Sequence, residues 1–254
     1  MVRSMATDPK TETVPFGLRD VDPADKPALV AGIFDSVASR YDLMNDLMTG
    51  GIQRLWKRAM VAALAPKPGD RLLDLAGGTG DIAARILDHH AVDVTVCDLT
   101  PTMLEVGRWR AWDRGRIGMP QWVCGSGLAL PFSDRYFNVC TIAFGLRNFA
   151  RIEPGLAEIA RVLRPGGRFL CLEFSPEVAA PLAPLYGAFS DRIIPALGKI
   201  VADDRDAYTY LVESIRRFPP PDTLSVMLAD AGFAGIRARK LSGGIVTLHS
   251  AWRV

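Results

Sequence analysis

Cysteine and histidine are scarce in this chain, which holds four of the first and three of the second in 254 residues. None of Cys97, Cys124, Cys140 and Cys171 stands in a C-x-x-C pair. At least three of them fall in runs that read as strands, where a free thiol packs as a small hydrophobe. This excludes a small disulfide scaffold and points to reduced core cysteines in a cytoplasmic protein. So few histidines make a multi-His metal site a poor reading, and no metal is expected. Neither sign of charge is in excess: 30 Lys and Arg against 28 Asp and Glu leave +2. That balance gives no electrostatic footprint for nucleic acid. No apolar run approaches the ~18 residues of a membrane span, and Met1 to Lys10 lacks the apolar core of a signal peptide. Internal repeats and low-complexity tracts are missing too. What is present is 49% hydrophobic and 23% charged, enough apolar material for a sizeable core.

Residues 1–27 are polar, contain proline and show no sustained period, so they read as a flexible tail. From Ala28 the spacing turns helical, with Ile33, Phe34, Val37, Ala38 and Tyr41 recurring at three and four. A second helix follows Gly50-Gly51, its apolar face read as Ile52, Leu55, Trp56, Ala59 and Ala63, and Pro66 to Gly69 stops it. Residues 28–65 are thus a helical appendage to one domain over 28–254. Strands at Arg71–Ala76, Val92–Cys97, Gln121–Cys124, Phe137–Phe144 and Arg168–Phe174 then alternate with helices at Asp81–His89, Thr100–Asp113 and Glu153–Leu163. Arg164 to Gly167 reads as a turn. Such alternation predicts an α/β fold, a doubly wound and mostly parallel sheet covered on both faces. A helix capped by Asp222 and ended at Gly232 precedes a hairpin, Ile236–Leu241 and Ile245–Arg253, whose last strand runs antiparallel to the rest.

The strongest local signal runs from Leu72 through Asp74, Gly77, Gly78, Thr79 and Gly80 to Asp81, a strand entering a helix through a glycine turn. Glycine permits positive φ and close approach of a ligand to the backbone. Asp98, ending the next strand, sits where doubly wound folds place an acid that accepts ribose hydroxyls. These residues alone leave the cofactor open, since Gly78-x-Gly80-x-x-Ala83 also satisfies a dinucleotide pattern with Asp98 about 20 residues on. Two details weigh against a dehydrogenase. Asp74, inside the strand, suits an ammonium better than a pyrophosphate, and no His–Asp pair stands out for hydride chemistry.

The segment Asp74 to Gly80 (D-x-A-x-G-x-G) resembles the first motif of class I S-adenosylmethionine-dependent methyltransferases, with Ala76 in place of that motif's first glycine. Arg161 to Phe169 resembles their turn before the fifth strand. Three longer strings are more specific: Phe34 to Met48 (F-D-S-V-A-S-R-Y-D-L-M-N-D-L-M) with Arg54 to Lys57 (R-L-W-K), Phe144 to Phe149 (F-G-L-R-N-F), and Tyr208 to Pro219 (Y-T-Y-L-V-E-S-I-R-R-F-P). Together they are similar to the ubiquinone/menaquinone biosynthesis C-methyltransferase family, over about residues 28–254.

The resemblance implies a Rossmann-like methyltransferase fold. It implies methyl transfer from S-adenosylmethionine to a ring carbon of a polyprenylated quinol, demethylmenaquinol or 2-methoxy-6-polyprenyl-1,4-benzoquinol. Carried over residue by residue, it puts Asp74, Gly78, Thr79 and Gly80 at the glycine turn, Asp98 on the ribose, and Ser126 and Gly127 beside the adenine. Relatives often carry an amide or acid followed by Ala at this last pair, and Ser where this chain has Ala143. The sulfonium already activates the methyl, so no metal is needed. Arg147 is expected to stabilise the quinolate or orient a water that takes the proton. Asn148 would orient the ring, and Tyr41 would hydrogen-bond the quinol or the donor's carboxylate from a closing lid. Topology argues against His249 as a base, since it lies roughly 16 Å down the last strand from the ligand edge. The apolar stretch 181–201 would line an isoprenoid channel or touch the inner face of a membrane, against a core-helix reading of equal weight. Contact with a quinone-biosynthesis complex and a homodimer stay open, as do another lipophilic substrate and a non-catalytic role in binding the donor or quinone.

Overall fold

The apolar runs pair into one seven-stranded sheet in the computed structural model, which describes residues 13–38, 45–46, 49–116, 118, 120–179 and 205–254. Its strands are β3 (Arg71–Leu75), β4 (Asp93–Asp98), β5 (Gln121–Cys124), β6 (Phe137–Ala143), β7 (Leu163–Phe174), β8 (Phe233–Leu241) and β9 (Val246–Arg253). Their order is β5-β4-β3-β6-β7-β9-β8. Neighbours from β5 to β7 are parallel, while β9 lies between β7 and β8 and is antiparallel to both. The chain therefore winds outward from β3 to β5, then returns to β6 on the other side. The C-terminal ends of β3 and β6 flank this reversal, where open α/β sheets bind ligands.

Alternation along the strands sends residues to opposite faces. On β3, Leu73 and Leu75 join one core with Ile142, Leu156, Ile159 and Phe169, while Leu72 joins the other with Val94, Val96, Met60 and Ile86. The covering helices are α1 (Lys26–Val37), α2 (Gln53–Leu64), α3 (Asp81–Leu87), α4 (Pro101–Asp113), α5 (Ile152–Val162), α6 (Arg205–Arg216) and α7 (Pro221–Asp230). Among the described residues no helix is long and apolar enough to cross a membrane.

Four expectations need correction. Part of the expected tail is ordered: β1 (Val14–Phe16) and β2 (Arg19–Val21) form an antiparallel hairpin. The Phe16 ring packs 4.6 Å from the Tyr210 ring of α6, and these two with Val30 of α1 make a small third core. Helix α2 turns a different face inward, because Ile52 and Leu55 are 45% and 60% exposed while Gln53, Trp56, Lys57, Met60, Val61 and Leu64 are buried. Its buried polar members are satisfied locally, Gln53 by Asp46 and Lys57 by Asp81. The expected turn at 164–167 is the irregular start of β7, across which the register with β6 jumps from Phe137–Leu163 to Val139–Arg168. Finally, α7 begins at Pro221 with Pro220 at its N-cap, so Asp222 is a first-turn acid rather than the cap.

Candidate functional site

The C-terminal ends of β3, β4, β5 and β6 open into a cleft of about 1060 Å³, counted out to open solvent. Asp74, Gly78, Thr79, Asp98, Ser126, Gly127 and Asn148 all line it, so the expected cofactor residues come together here, with Gly80 just behind as the N-cap of α3.

Backbone geometry explains the glycine turn. Gly78 and Gly80 take φ of +54° and +75°. Gly77 has no room for a side chain, since a Cβ there would sit 2.8 Å from Val96 Cγ1 and 2.9 Å from Asp74 Oδ2. Ala76, the departure from the motif's glycine, nonetheless adopts φ +51°, a left-handed conformation that costs an L-residue about 1–2 kcal/mol. Its methyl occupies the space beside Gly145, where an added Cβ would lie 2.5 Å from Ala76 Cβ.

Asp98 ties two loops together. Its Oδ2 accepts from Gly78 N–H at 2.8 Å and its Oδ1 from Thr100 N–H at 2.9 Å. Burial raises its carboxyl above the ordinary range, although both amides work the other way. Beyond β5, Ser126 Oγ accepts from Leu128 N–H at 3.2 Å, and Gly127 lies so close to Phe149 that a Cβ would meet its ring at 2.3 Å. The Phe149 ring therefore packs directly against the backbone at Gly127. The cradle fits the donor that the sequence implies.

Asp74 differs from the expected free ammonium ligand. It is 1% exposed, its Oδ1 accepts from Thr141 Oγ1 of β6 at 2.9 Å, and its Oδ2 accepts from Ala83 N–H of α3 at 3.2 Å. It therefore locks β3, β6 and α3 under the glycine turn. Burial pushes its carboxyl up to about 7 against the opposing pull of Thr141 and Ala83.

The structure separates the expected catalytic residues. Asn148 lies on the cleft, and its Oδ1 accepts from the buried Tyr210 hydroxyl at 3.1 Å. That leaves its NH₂ group unused among the described residues. Arg147 is turned away. It lines a second cavity with Lys26, Tyr210, Ser214 and Arg217, and its side chain is 5% exposed against a Glu173 that is 1% exposed. Its Nη1 lies 2.8 Å from Glu173 Oε1 and also donates to the Phe144 carbonyl. A guanidinium neutralised by Glu173 and held behind Phe144 does not reach a ring in the cleft, so the expected direct contact with the quinolate is not what this geometry offers. Phe144 itself is held at φ +59°, unusual for a bulky residue and typical of strain kept at a working site. Tyr41 and Asp42 lie outside the described residues, as does all of 181–201.

His249 is buried within β9, with Nε2 3.0 Å from the Pro221 carbonyl, and burial lowers its pKa. The expectation that it stands apart from the cleft agrees with this placement. Cys97, Cys140 and Cys171 are buried free thiols, whereas Cys124 is exposed.

Residue-by-residue reading missed several wall members. Pro27, Val30 and Phe34 of α1 roof the cleft, and Lys57 and Asp81 close the end beside α3. Lys57 lay in the quoted R-L-W-K string, and its signal was a lysine spaced onto the buried face with Trp56 and Met60.

The matches to known proteins agree with this geometry. Residues 22–253 match the model of the ubiE/COQ5 methyltransferase family. A protein of Paracoccus denitrificans named ubiquinone/menaquinone biosynthesis C-methyltransferase UbiE is 52% identical over 251 residues, covering 98% of this chain and 100% of that protein. A Bradyrhizobium diazoefficiens protein of the same name is 53% identical, covering 96% and 98%. Among solved structures, a SAM-dependent methyltransferase from Aquifex aeolicus shares the fold with a TM-score of 0.55 at 16% identity, over 78% of this chain and 89% of that one. The [4+2]-cyclase SpnF does so with a TM-score of 0.65 at 17% identity, over 89% and 96%. The fold alone therefore hosts more than one chemistry, and the near full-length sequence matches decide the family. With its glycine turn, Asp98, Phe144 and Asn148 gathered around one cleft and residues 22–253 matching the family model, this chain belongs to the ubiE/COQ5 methyltransferase family.

Proposed function

We propose that this chain methylates a ring carbon of a polyprenylated quinol, using S-adenosylmethionine held at the glycine turn. The observation that carries the reading is the lining of one cleft. It joins Gly78, Asp98, Ser126 and Gly127, which suit a nucleoside, with the apolar Val30, Phe34, Ala143 and Phe144, which suit a quinol ring. The name of the relatives that share about half of its residues supports the quinol as acceptor.

S-adenosylmethionine supplies a methyl already activated on a sulfonium, so the protein's task is alignment and exclusion of water. Val30, Phe34 and Phe144 keep the acceptor side of the cleft dry. Asn148, fixed through its Oδ1 by Tyr210, turns its NH₂ donors toward a ring oxygen. An ionised ring hydroxyl makes the ring carbon most nucleophilic, yet ionising a phenol near neutral pH costs roughly 4 kcal/mol. Donors aimed at that oxygen in a water-poor cleft recover part of this cost. Arg147 is a positioning residue: it grips the carbonyl of Phe144 and holds the strained end of β6 against the acceptor. Because the acceptor carries an isoprenoid tail, the protein works from the cytoplasm at the inner face of the membrane.

The test is turnover with labelled S-adenosylmethionine and, separately, demethylmenaquinol and 2-methoxy-6-polyprenyl-1,4-benzoquinol. The expected product carries the label on a ring carbon and forms only from the reduced ring, because a quinone is too electron-poor to attack a sulfonium. Label on oxygen, or equal turnover of the oxidised quinone, overturns the proposal.

A further inference from the structure

The strand order fixes the order in which the cleft meets a nucleoside donor. Ser126 and Gly127 follow β5, Asp98 ends β4, and the glycine turn follows β3. A base over β5 and a ribose at Asp98 send the amino-acid end toward β3, α3 and α2. That end carries a carboxylate and an ammonium, so its wall must answer both charges.

Among the described residues lining the cleft, Lys57 is the one cation, and the acids are Asp74, Asp81 and Asp98. Asp98 serves the ribose. Asp74 has both oxygens engaged, by Thr141 and by Ala83 N–H. Asp74 is also only 1% exposed, whereas the side chain of Asp81, the first residue of α3, is 30% exposed, so of these two acids Asp81, though paired, is the one a ligand in the cleft can reach. Its Oδ2 lies 2.9 Å from Lys57 Nζ and its Oδ1 3.0 Å from Arg85 Nε. Burial alone would push its carboxyl up, but Lys57 and Arg85 override this and hold it below the ordinary range. The Lys57 side chain is 7% exposed. A lysine ammonium has three N–H donors, of which Asp81 takes one.

We propose that Lys57 and Asp81 clamp the zwitterionic end of the methyl donor, Lys57 receiving its carboxylate and Asp81 its ammonium. The inference rests on the donor assignment made above. Two opposed ion pairs laid side by side give each charge two opposite neighbours. This arrangement favours burial far more than a lone pair does. The clamp also grades ligands, because a site built around charged partners rejects analogues that leave them unpaired.

Calorimetry on three ligands tests it: S-adenosylhomocysteine, which keeps both charges; decarboxylated S-adenosylmethionine, which keeps the amine; and 5′-methylthioadenosine, which has neither. Lys57→Met is expected to weaken S-adenosylhomocysteine by about tenfold or more. It should leave 5′-methylthioadenosine and decarboxylated S-adenosylmethionine within about twofold of wild type. Lys57→Arg retains most of the affinity. If the Met variant does not fold, Lys57→Gln, which keeps a donor toward Asp81, gives the same selective loss. Equal weakening of all three ligands, or unchanged binding of S-adenosylhomocysteine by a folded variant, overturns the clamp. Failure of wild type to bind any of the three would instead remove the donor assignment on which it rests.

Discussion

The carboxylate of Asp98, the last residue of β4, accepts the backbone N–H of Gly78 at 2.8 Å, which ties the end of β4 to the glycine turn. Asp98→Ala should weaken S-adenosylmethionine by about 1.5–3 kcal/mol, the scale for lost hydrogen bonds to a charged group. Asp98→Asn should lose less, since its amide oxygen still receives Gly78 N–H. Calorimetry checks both, and NAD should give no binding heat with either variant or with wild type.

Asp74 makes a pH prediction. Its folded-state carboxyl sits at about 7, above an unfolded value of about 3.9, so the folded state binds the extra proton between these values. That contribution to stability is fully present below about pH 4 and is lost as pH rises toward about 7. It amounts to roughly 3–4 kcal/mol if the shift is fully expressed. Asp74→Asn should flatten this slope in chemical denaturation series run across that window. An unchanged slope would show that Asp74 is not the group responsible.

Arg147 and Glu173 form a buried pair, and truncating one partner leaves a charge unpaired. Arg147→Ala should therefore destabilise by about 3–5 kcal/mol, and Arg147→Met combined with Glu173→Gln should recover much of that. Arg147→Lys isolates the positioning role, because it keeps a charge for Glu173 but lacks the planar fork that also reaches Phe144. Its kcat should fall by up to about 10²-fold through misplacement of Phe144, with the quinol KM and donor affinity little changed. A normal kcat would remove Arg147 from the reaction.

Ala76 and Gly145 compete for one space. A Cβ on Gly145 would lie 2.5 Å from Ala76 Cβ, while Gly145 has a φ of −115° that any residue can adopt. Gly145→Ala should then cost about 1–3 kcal/mol by overpacking. Adding Ala76→Gly should return at least half, shown by a double-mutant cycle in denaturant. Additive losses would mean that the clash is relieved elsewhere.

Local pattern carried the sheet and the donor half of the site. Strand runs such as Leu72 to Leu75, and the spacing of Asp74, Gly78 and Asp98, are set by residues near one another in sequence. What was not legible depends on distant partners. The β1–β2 hairpin is too short to announce itself and is held by Phe16 on Tyr210, with Leu18 N–H donating to Glu213 at 3.0 Å. The inward face of α2 is apolar at Trp56, Met60, Val61 and Leu64, but the burial of Gln53 and Lys57 on it depends on Asp46 and Asp81. Arg147 appeared free because Glu173, on the neighbouring strand, is 26 residues away. Position beyond a strand end located Arg147 but could not show which way its side chain turns.

The strand made last of the seven is not at a sheet edge. Because β9 sits between β7 and β8, a growing chain that has completed β7 carries an open flank until β9 emerges. Phe169, Leu170, Cys171 and Leu172, all fully buried in the finished fold, then border unpaired backbone able to recruit another chain. Assembly thus ends with an insertion rather than an addition. Nascent or C-terminally clipped chains should be the aggregation-prone form of this protein, and loss of β9 should harm solubility far more than loss of residues 1–12.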